Sequence, residues 1–87
     1  MTSRLRIDKW LWHARFYRTR ALSQAAARSG VIRLNGQRVG KAGTDVRPGD
    51  LLTLPRGPGV IVVRILACGT RRGPAGEART LYEEVTG

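Results

Sequence analysis

Arg20, Gln24 and Arg28 recur every four residues, a spacing that lines them up along one stripe of a helix. Arg18 and Thr19 stand just ahead of that stripe. A guanidinium binds phosphate oxygens through two parallel N–H donors. The start of a helix adds free backbone N–H groups and the positive end of the peptide dipole. Arg18, Thr19 and Arg20 therefore make a candidate phosphate seat. In the preceding segment Arg6, Lys9 and His13 share one flank at i, i+3, i+7 spacing, with Asp8 and Arg15 on the other. A third group, Asn35-Gly36-Gln37-Arg38 with Lys41, joins a tight turn to donors that can reach phosphates or 2′-hydroxyls; Gly36 by itself reads only as a turn residue. The bland alternative is an ordinary solvated helix face. Like charges four residues apart mildly disfavour a helix, so stability offers no reason to gather them.

Catalytic chemistry has less to build on. His13 is the single histidine and Cys68 the single cysteine, so no zinc cluster is expected. Glu83 and Glu84 are adjacent and point apart, which makes a poor acid–base pair. No phosphate-binding P-loop and no dinucleotide fingerprint is present. We expect no catalytic residue, no metal site and no cofactor, and read Cys68 as a small core residue. A lone cysteine cannot form an intramolecular disulfide, which fits a reducing cytoplasm. The N-terminus carries no apolar signal-peptide core. The apolar runs Val60 to Val63 and Ile65 to Ala67 are too short to span a bilayer. The expectation is a cytoplasmic protein with no membrane partner.

Charge points the same way as the motifs. The 87 residues suit one domain with a modest core. Lys plus Arg total 16 against 6 Asp plus Glu, a formal net charge of +10. A pI near 11.6 makes a polyanion the expected partner: RNA, DNA or an anionic membrane surface. Asp8 is the one acid among the first 44 residues, so ion pairing is not expected to absorb the N-terminal charges.

These side chains need elements to position them. Met1 to Leu5 read as a short basic arm. Ile7, Trp10, Leu11, Ala14 and Tyr17 recur at helical spacing and predict a helix over Ile7–Phe16. Thr19 is a good N-cap for a second helix running to about Arg28, with Gly30 as its stop. Its inward face is expected to carry Leu22, Ala25, Ala26 and Ser29. Alternation around Ile32 and Leu34 predicts a strand, and Asn35-Gly36 a hairpin whose return strand, Gln37–Val39, points Val39 inward. Lys41–Asp45 reads as loop, Pro48-Gly49 as a type II turn, Leu51–Leu54 as strand, Pro55–Gly59 as loop and Val60–Ala67 as strand. Gly69–Gly76 is a loop containing Arg71 and Arg72. Glu77–Val85 fits a short helix or a last strand. Trp10 and Tyr17 belong to the core; Trp12 and Phe16 suit either core packing or stacking on unpaired bases. The order predicts an α+β fold in which two N-terminal helices pack on a small, mostly antiparallel sheet.

The runs Arg6-Ile7-Asp8-Lys9-Trp10-Leu11-Trp12-His13-Ala14-Arg15-Phe16-Tyr17-Arg18-Thr19-Arg20, Gly30-Val31-Ile32-Arg33-Leu34-Asn35-Gly36-Gln37-Arg38-Val39 and Val46-Arg47-Pro48-Gly49-Asp50 resemble the S-four RNA-binding domain. Lys9-Trp10-Leu11-Trp12 and Leu81-Tyr82-Glu83-Glu84 look like its heat-shock protein 15 branch. The resemblance implies a single domain over 1–87, with an α-L motif core at 4–54 and a C-terminal strand and short helix extension at 55–87. It implies an RNA-binding protein; the lack of catalytic residues reads as non-enzymatic, and a monomer is expected. Its ligand would be ribosomal RNA of the large subunit, and it would act on stalled subunits that hold a nascent chain on tRNA; tRNA or DNA are further partners to consider. Carried over by position, the contacts are Arg4, Arg6, Arg15, Arg18, Thr19, Arg20, Gln24, Gln37, Arg38 and Lys41, to which the helix stripes add Lys9 and Arg28. A general nucleic-acid module and an accessory of an RNA-modifying enzyme stay open beside it. Members of that branch often continue into a long basic C-terminal extension, which the sequence up to Gly87 does not include.

Overall fold

A computed structural model describes residues 4–85, so Met1, Thr2 and Ser3 of the expected basic arm lie outside the described residues. The arm ends in strand at Leu5. Leu5–Arg6 form β1, which pairs antiparallel with β4, Asp45–Val46, and so takes the end of the expected 41–45 loop into a small sheet. Between them run α1 (Ile7–His13), α2 (Arg20–Arg28) and the hairpin of β2 (Arg33–Leu34) and β3 (Gln37–Arg38). β5 (Leu51–Arg56) and β6 (Gly59–Ile65) form the long central hairpin. The segment that fitted either helix or strand holds both: α3 (Ala75–Ala78), a 3₁₀ turn (Arg79–Leu81) and β7 (Tyr82–Glu84). The main sheet has the order β3-β2-β5-β6-β7, with every neighbouring pair antiparallel. The fold is α+β, as expected. No helix among the described residues is long and apolar enough to cross a membrane.

The core lies between α1 and the inner face of the sheet. Ile7, Trp10 and Leu11 are fully buried against Leu52 and Leu54 of β5 and Val63 and Ile65 of β6. Each large side chain buried this way contributes about 1.5–3 kcal/mol. The Trp10 indole N–H keeps a partner by donating to the Ala67 carbonyl at 2.9 Å. β6 stops at Ile65 rather than Ala67 because the Leu66 and Ala67 N–H groups turn to the Leu81 carbonyl. β5 runs on through Pro55 and Arg56, so the expected loop shrinks to a tip at Gly57-Pro58. Pro55 sits near that tip, where a missing N–H costs the ladder least.

Both helices differ from the periodicity reading. α1 ends at His13, short of Phe16, because Arg15 adopts φ +63°. The Phe16 N–H bonds to the Leu11 carbonyl at 3.0 Å and the Arg15 N–H to the Trp12 carbonyl at 3.1 Å, which is a Schellman ending with arginine where glycine is usual. In α2 the buried residues are Ser23 and Ala27. Leu22 is 51 % exposed and Ala25 and Ser29 face solvent, while Ala26 is half-buried, so the expected inward face is corrected. Helix–helix distance follows the size of the side chains in the seam. Ser23 and Ala27 admit a close approach to α1 that a leucine would prevent.

Candidate nucleic-acid interface

The phase of α2 decides what its basic stripe touches. With Ser23 and Ala27 in the seam, Arg20 and Gln24 lie beside it, half-buried, and Arg28 stands in solvent. Thr19 caps the helix, its Oγ1 accepting the Leu22 N–H at 3.1 Å. Arg18, just ahead of the cap, is exposed. Asp8, expected on a helix flank, is fully buried. Its Oδ1 accepts from Arg6 Nε at 3.1 Å and from the Lys9 backbone N–H at 2.8 Å. Its Oδ2 accepts from Arg6 Nη2 at 3.1 Å and faces Arg20 Nε at 3.9 Å. Arg20 Nε is itself buried without a hydrogen-bond partner. One carboxylate thus gathers Arg6 from β1 and Arg20 from α2, and both guanidiniums stay partly in solvent, at 48 % and 41 % exposure. Arg4 lies 3.7 Å from Asp45. The expectation that ion pairing leaves the N-terminal charges alone is therefore corrected: a buried carboxylate must be paired, and arginines are what surround Asp8. Two guanidiniums on one carboxylate still leave a local positive charge.

The hairpin forms as the Asn35-Gly36 pair requires, with φ +51° and +84° at the two turn residues. The Asn35 side chain is spent on structure. Its Oδ1 accepts the Leu51 N–H at 2.9 Å and its Nδ2 donates to Asp50 at 3.1 Å, locking the hairpin to the Pro48-Gly49 turn. Gly49, at φ +98°, fits the type II turn expected there. Across β2 and β3, Arg33 stands directly opposite Arg38. Facing like charges destabilise a sheet, so stability gives no reason for this pair. Arg33 was missed by sequence reasoning, although a two-residue Asn-Gly turn fixes the register that pairs 33 with 38. Arg38 also packs on the end of α2: a Cβ at Gly30 would stand 3.2 Å from Arg38 Cδ. Helix and hairpin are therefore one surface. Gln37, Arg38, Lys41 and Thr44 line a hollow of about 320 Å³ at its far side. Salt bridges among the described residues leave Arg18, Arg28, Arg33, Arg38 and Lys41 without an acidic partner.

Two expected basic positions, His13 and Arg15, bond to the segment after β6. His13 is buried, and its Nδ1 lies 3.3 Å from the Cys68 carbonyl, which can only accept, so Nδ1 carries the proton. Burial pushes its pKa below 6.5, helped by the charges of Lys9 and Arg20 and opposed by the Cys68 bond. Lys9 is half-buried. Arg15 donates through Nε to the Gly73 carbonyl at 2.6 Å. The wheel of an isolated helix cannot register this, because the covering segment is more than fifty residues away. Arg72, also missed, donates to the Trp12 and Tyr17 carbonyls at 3.2 Å each and lies 5.9 Å from the Trp12 ring centre. Phe16 and Tyr17 are half-buried and pack on the core. Cys68 is buried, and that burial raises its thiol pKa. Glu83 and Glu84 are tied to Arg64 and Arg56 at 3.3 and 3.9 Å.

A family model for the S4 domain matches residues 5–52, from β1 into β5. The chain belongs to the S4 domain family. Within it, the chain is 45 % identical over 80 residues to Heat shock protein 15 of Escherichia coli, a match covering 92 % of this chain and 59 % of that protein. It therefore spans about six-tenths of that relative's length. It is 34 % identical to the RQC P-site tRNA stabilizing factor of Bacillus subtilis, covering 92 % of this chain and 94 % of that one. The solved trimeric structure of Vibrio cholerae Heat Shock Protein 15 superposes with a TM-score of 0.89 at 38 % identity, over 95 % of this chain and 83 % of that one. The expectation of a monomer finds no support in that trimeric relative. The S4 domain match covers the Asp8 clamp, α2 and the hairpin together, and stops short of β6 and the segment that buries His13.

Proposed function

We propose that this S4 domain protein is a non-enzymatic RNA-binding protein that grips ribosomal RNA of the large subunit by its phosphate backbone. The observation that carries this is the continuous surface of α2 and the hairpin. There Arg18, Arg28, Arg33, Arg38 and Lys41 have no acidic partner among the described residues, beside the Arg6–Arg20 pair held on Asp8. Such a surface suits closely spaced phosphates and pays for its own repulsion only when an anion is bound. The names of its relatives, a heat shock protein and a P-site tRNA stabilizing factor, support a finer reading. In that reading the protein acts on stalled large subunits that still hold a nascent chain on tRNA.

Sedimentation of cell extract tests the finer reading. The protein is expected to travel with large subunits, more so after heat stress; recovery only in the light soluble fractions contradicts it. Arg38→Ala is expected to weaken binding to large-subunit RNA about tenfold, in line with the loss of one charge-assisted contact, while leaving the thermal melt in place. Because only the 2′-hydroxyl separates the two backbones, equal affinity for duplex DNA would replace RNA with nucleic acid in general.

A further inference from the structure

β5 and β6 pair out to Arg56 and Gly59, and residues 55–60 at that end are exposed. Alternation puts Arg56 on the same inner face as Leu54, and the register of β6 with β7 sets Tyr82 opposite Ile65 and Glu84 opposite Val63, on the face that Ile61 shares. The turn after α1 stands over this end. The result is a cavity of about 410 Å³, with Arg15, Arg56 and Arg79 on its rim and Phe16, Ile61 and Tyr82 beneath. That volume falls in the range of small-molecule sites.

Its chemistry is cationic and aromatic. Glu84 is the one acid in the lining and lies 3.9 Å from Arg56, so Arg15 and Arg79 have no acidic partner among the described residues. The Phe16 and Tyr82 rings are 4.7 Å apart, and both pack near Trp10, at 5.9 and 6.4 Å. They are braced from within yet only half-buried. Arg15 adds an independent sign. It occupies a left-handed position, φ +63°, where glycine carries no strain. Its Nε bond to the Gly73 carbonyl then fixes the guanidinium at the cavity rim. A strained arginine kept where glycine relaxes the backbone points to use of its side chain.

We propose that this cavity is a second RNA subsite, which takes one unpaired nucleotide: the base packs against Tyr82 and Phe16, and the phosphate sits among Arg15, Arg56 and Arg79. The subsite belongs to the β7 edge of the sheet, whereas the hairpin forms the β3 edge, so one domain engages two separate RNA segments. The proposal rests on the RNA-binding reading above.

The test is an NMR titration of the full chain with adenosine monophosphate, run in parallel with inorganic phosphate. Saturable movement of the Tyr82 and Phe16 ring signals and the Ile61 methyls is expected with the nucleotide and not with phosphate. Arg15→Gly, which relieves the backbone, should weaken nucleotide binding at least tenfold and leave the fold intact. Arg79→Gln, at a side chain with no hydrogen bond or ion pair among the described residues, should do the same. Unmoved ring signals, equal movement with phosphate alone, or undiminished nucleotide binding in both variants overturns the subsite. Structured RNA bound normally without any nucleotide response sinks this proposal alone. A nucleotide response without binding of structured RNA sinks the large-subunit reading instead.

Discussion

Asp8 carries more of this molecule than its size suggests. It is an acid in a strongly basic chain, fully buried, and it accepts hydrogen bonds from Arg6 and Lys9 while facing Arg20. Asp8→Ala leaves two guanidiniums facing each other without their counter-charge, and is expected to cost roughly 3 kcal/mol in urea unfolding. RNA affinity should fall as well, since Arg6 and Arg20 lose their shared anchor. A second residue-scale prediction concerns His13. Burial holds its folded pKa below 6.5, so the unfolded chain binds a proton that the folded one refuses. Stability is then full above 6.5 and is lost as pH falls through that value towards the lower folded pKa. His13→Asn keeps a donor for the Cys68 carbonyl and should flatten that part of a melting-temperature profile taken between pH about 7.5 and about 5. An unchanged slope would remove His13 as its source. Neither role is legible in the sequence. Asp8 and His13 read as surface positions until α2 and the segment beyond β6 close over α1.

At the scale of elements, local chemistry was legible and helix phase was not. Thr19 as N-cap, the two positive φ angles of Asn35-Gly36 and the Pro48-Gly49 turn follow from residue type alone, and the structure has all three. Thr19→Ala is expected to lower stability by about 1 kcal/mol. The expected inward face of α2 follows i, i+3, i+4, i+7 spacing from Leu22, and spacing alone does not say which stripe of an alanine-rich helix packs. Leu22 stands outside while Ser23 and Ala27 fill the seam. Two substitutions separate these views. Leu22→Ala should change stability by less than about 0.5 kcal/mol, as for an exposed site. Ala27→Leu should cost about 1–3 kcal/mol by forcing the helices apart. The reverse ranking in thermal melts would restore the original face. The same phase shift explains the candidate site: only with Ser23 and Ala27 inward does Arg20 reach Asp8.

For the whole molecule, the decisive quantity is charge that folding does not cancel. Asp8, Asp45, Glu77, Glu83 and Glu84 each lie by an arginine, and Asp50 bonds the Asn35 side chain and the Arg47 N–H. The net charge of +10 nevertheless stands, gathered in part on α2 and the hairpin. Composition pointed to a polyanion, the motif pattern made the S4 domain legible, and packing decided which arginines are tied inward. The most direct test of a backbone-gripping surface is the affinity for large-subunit ribosomal RNA measured across salt concentration. With about six phosphates neutralised, affinity should fall roughly a thousandfold between 50 and 200 mM salt, and Arg38→Ala should reduce the logarithmic slope by about one. A flat salt response contradicts the account.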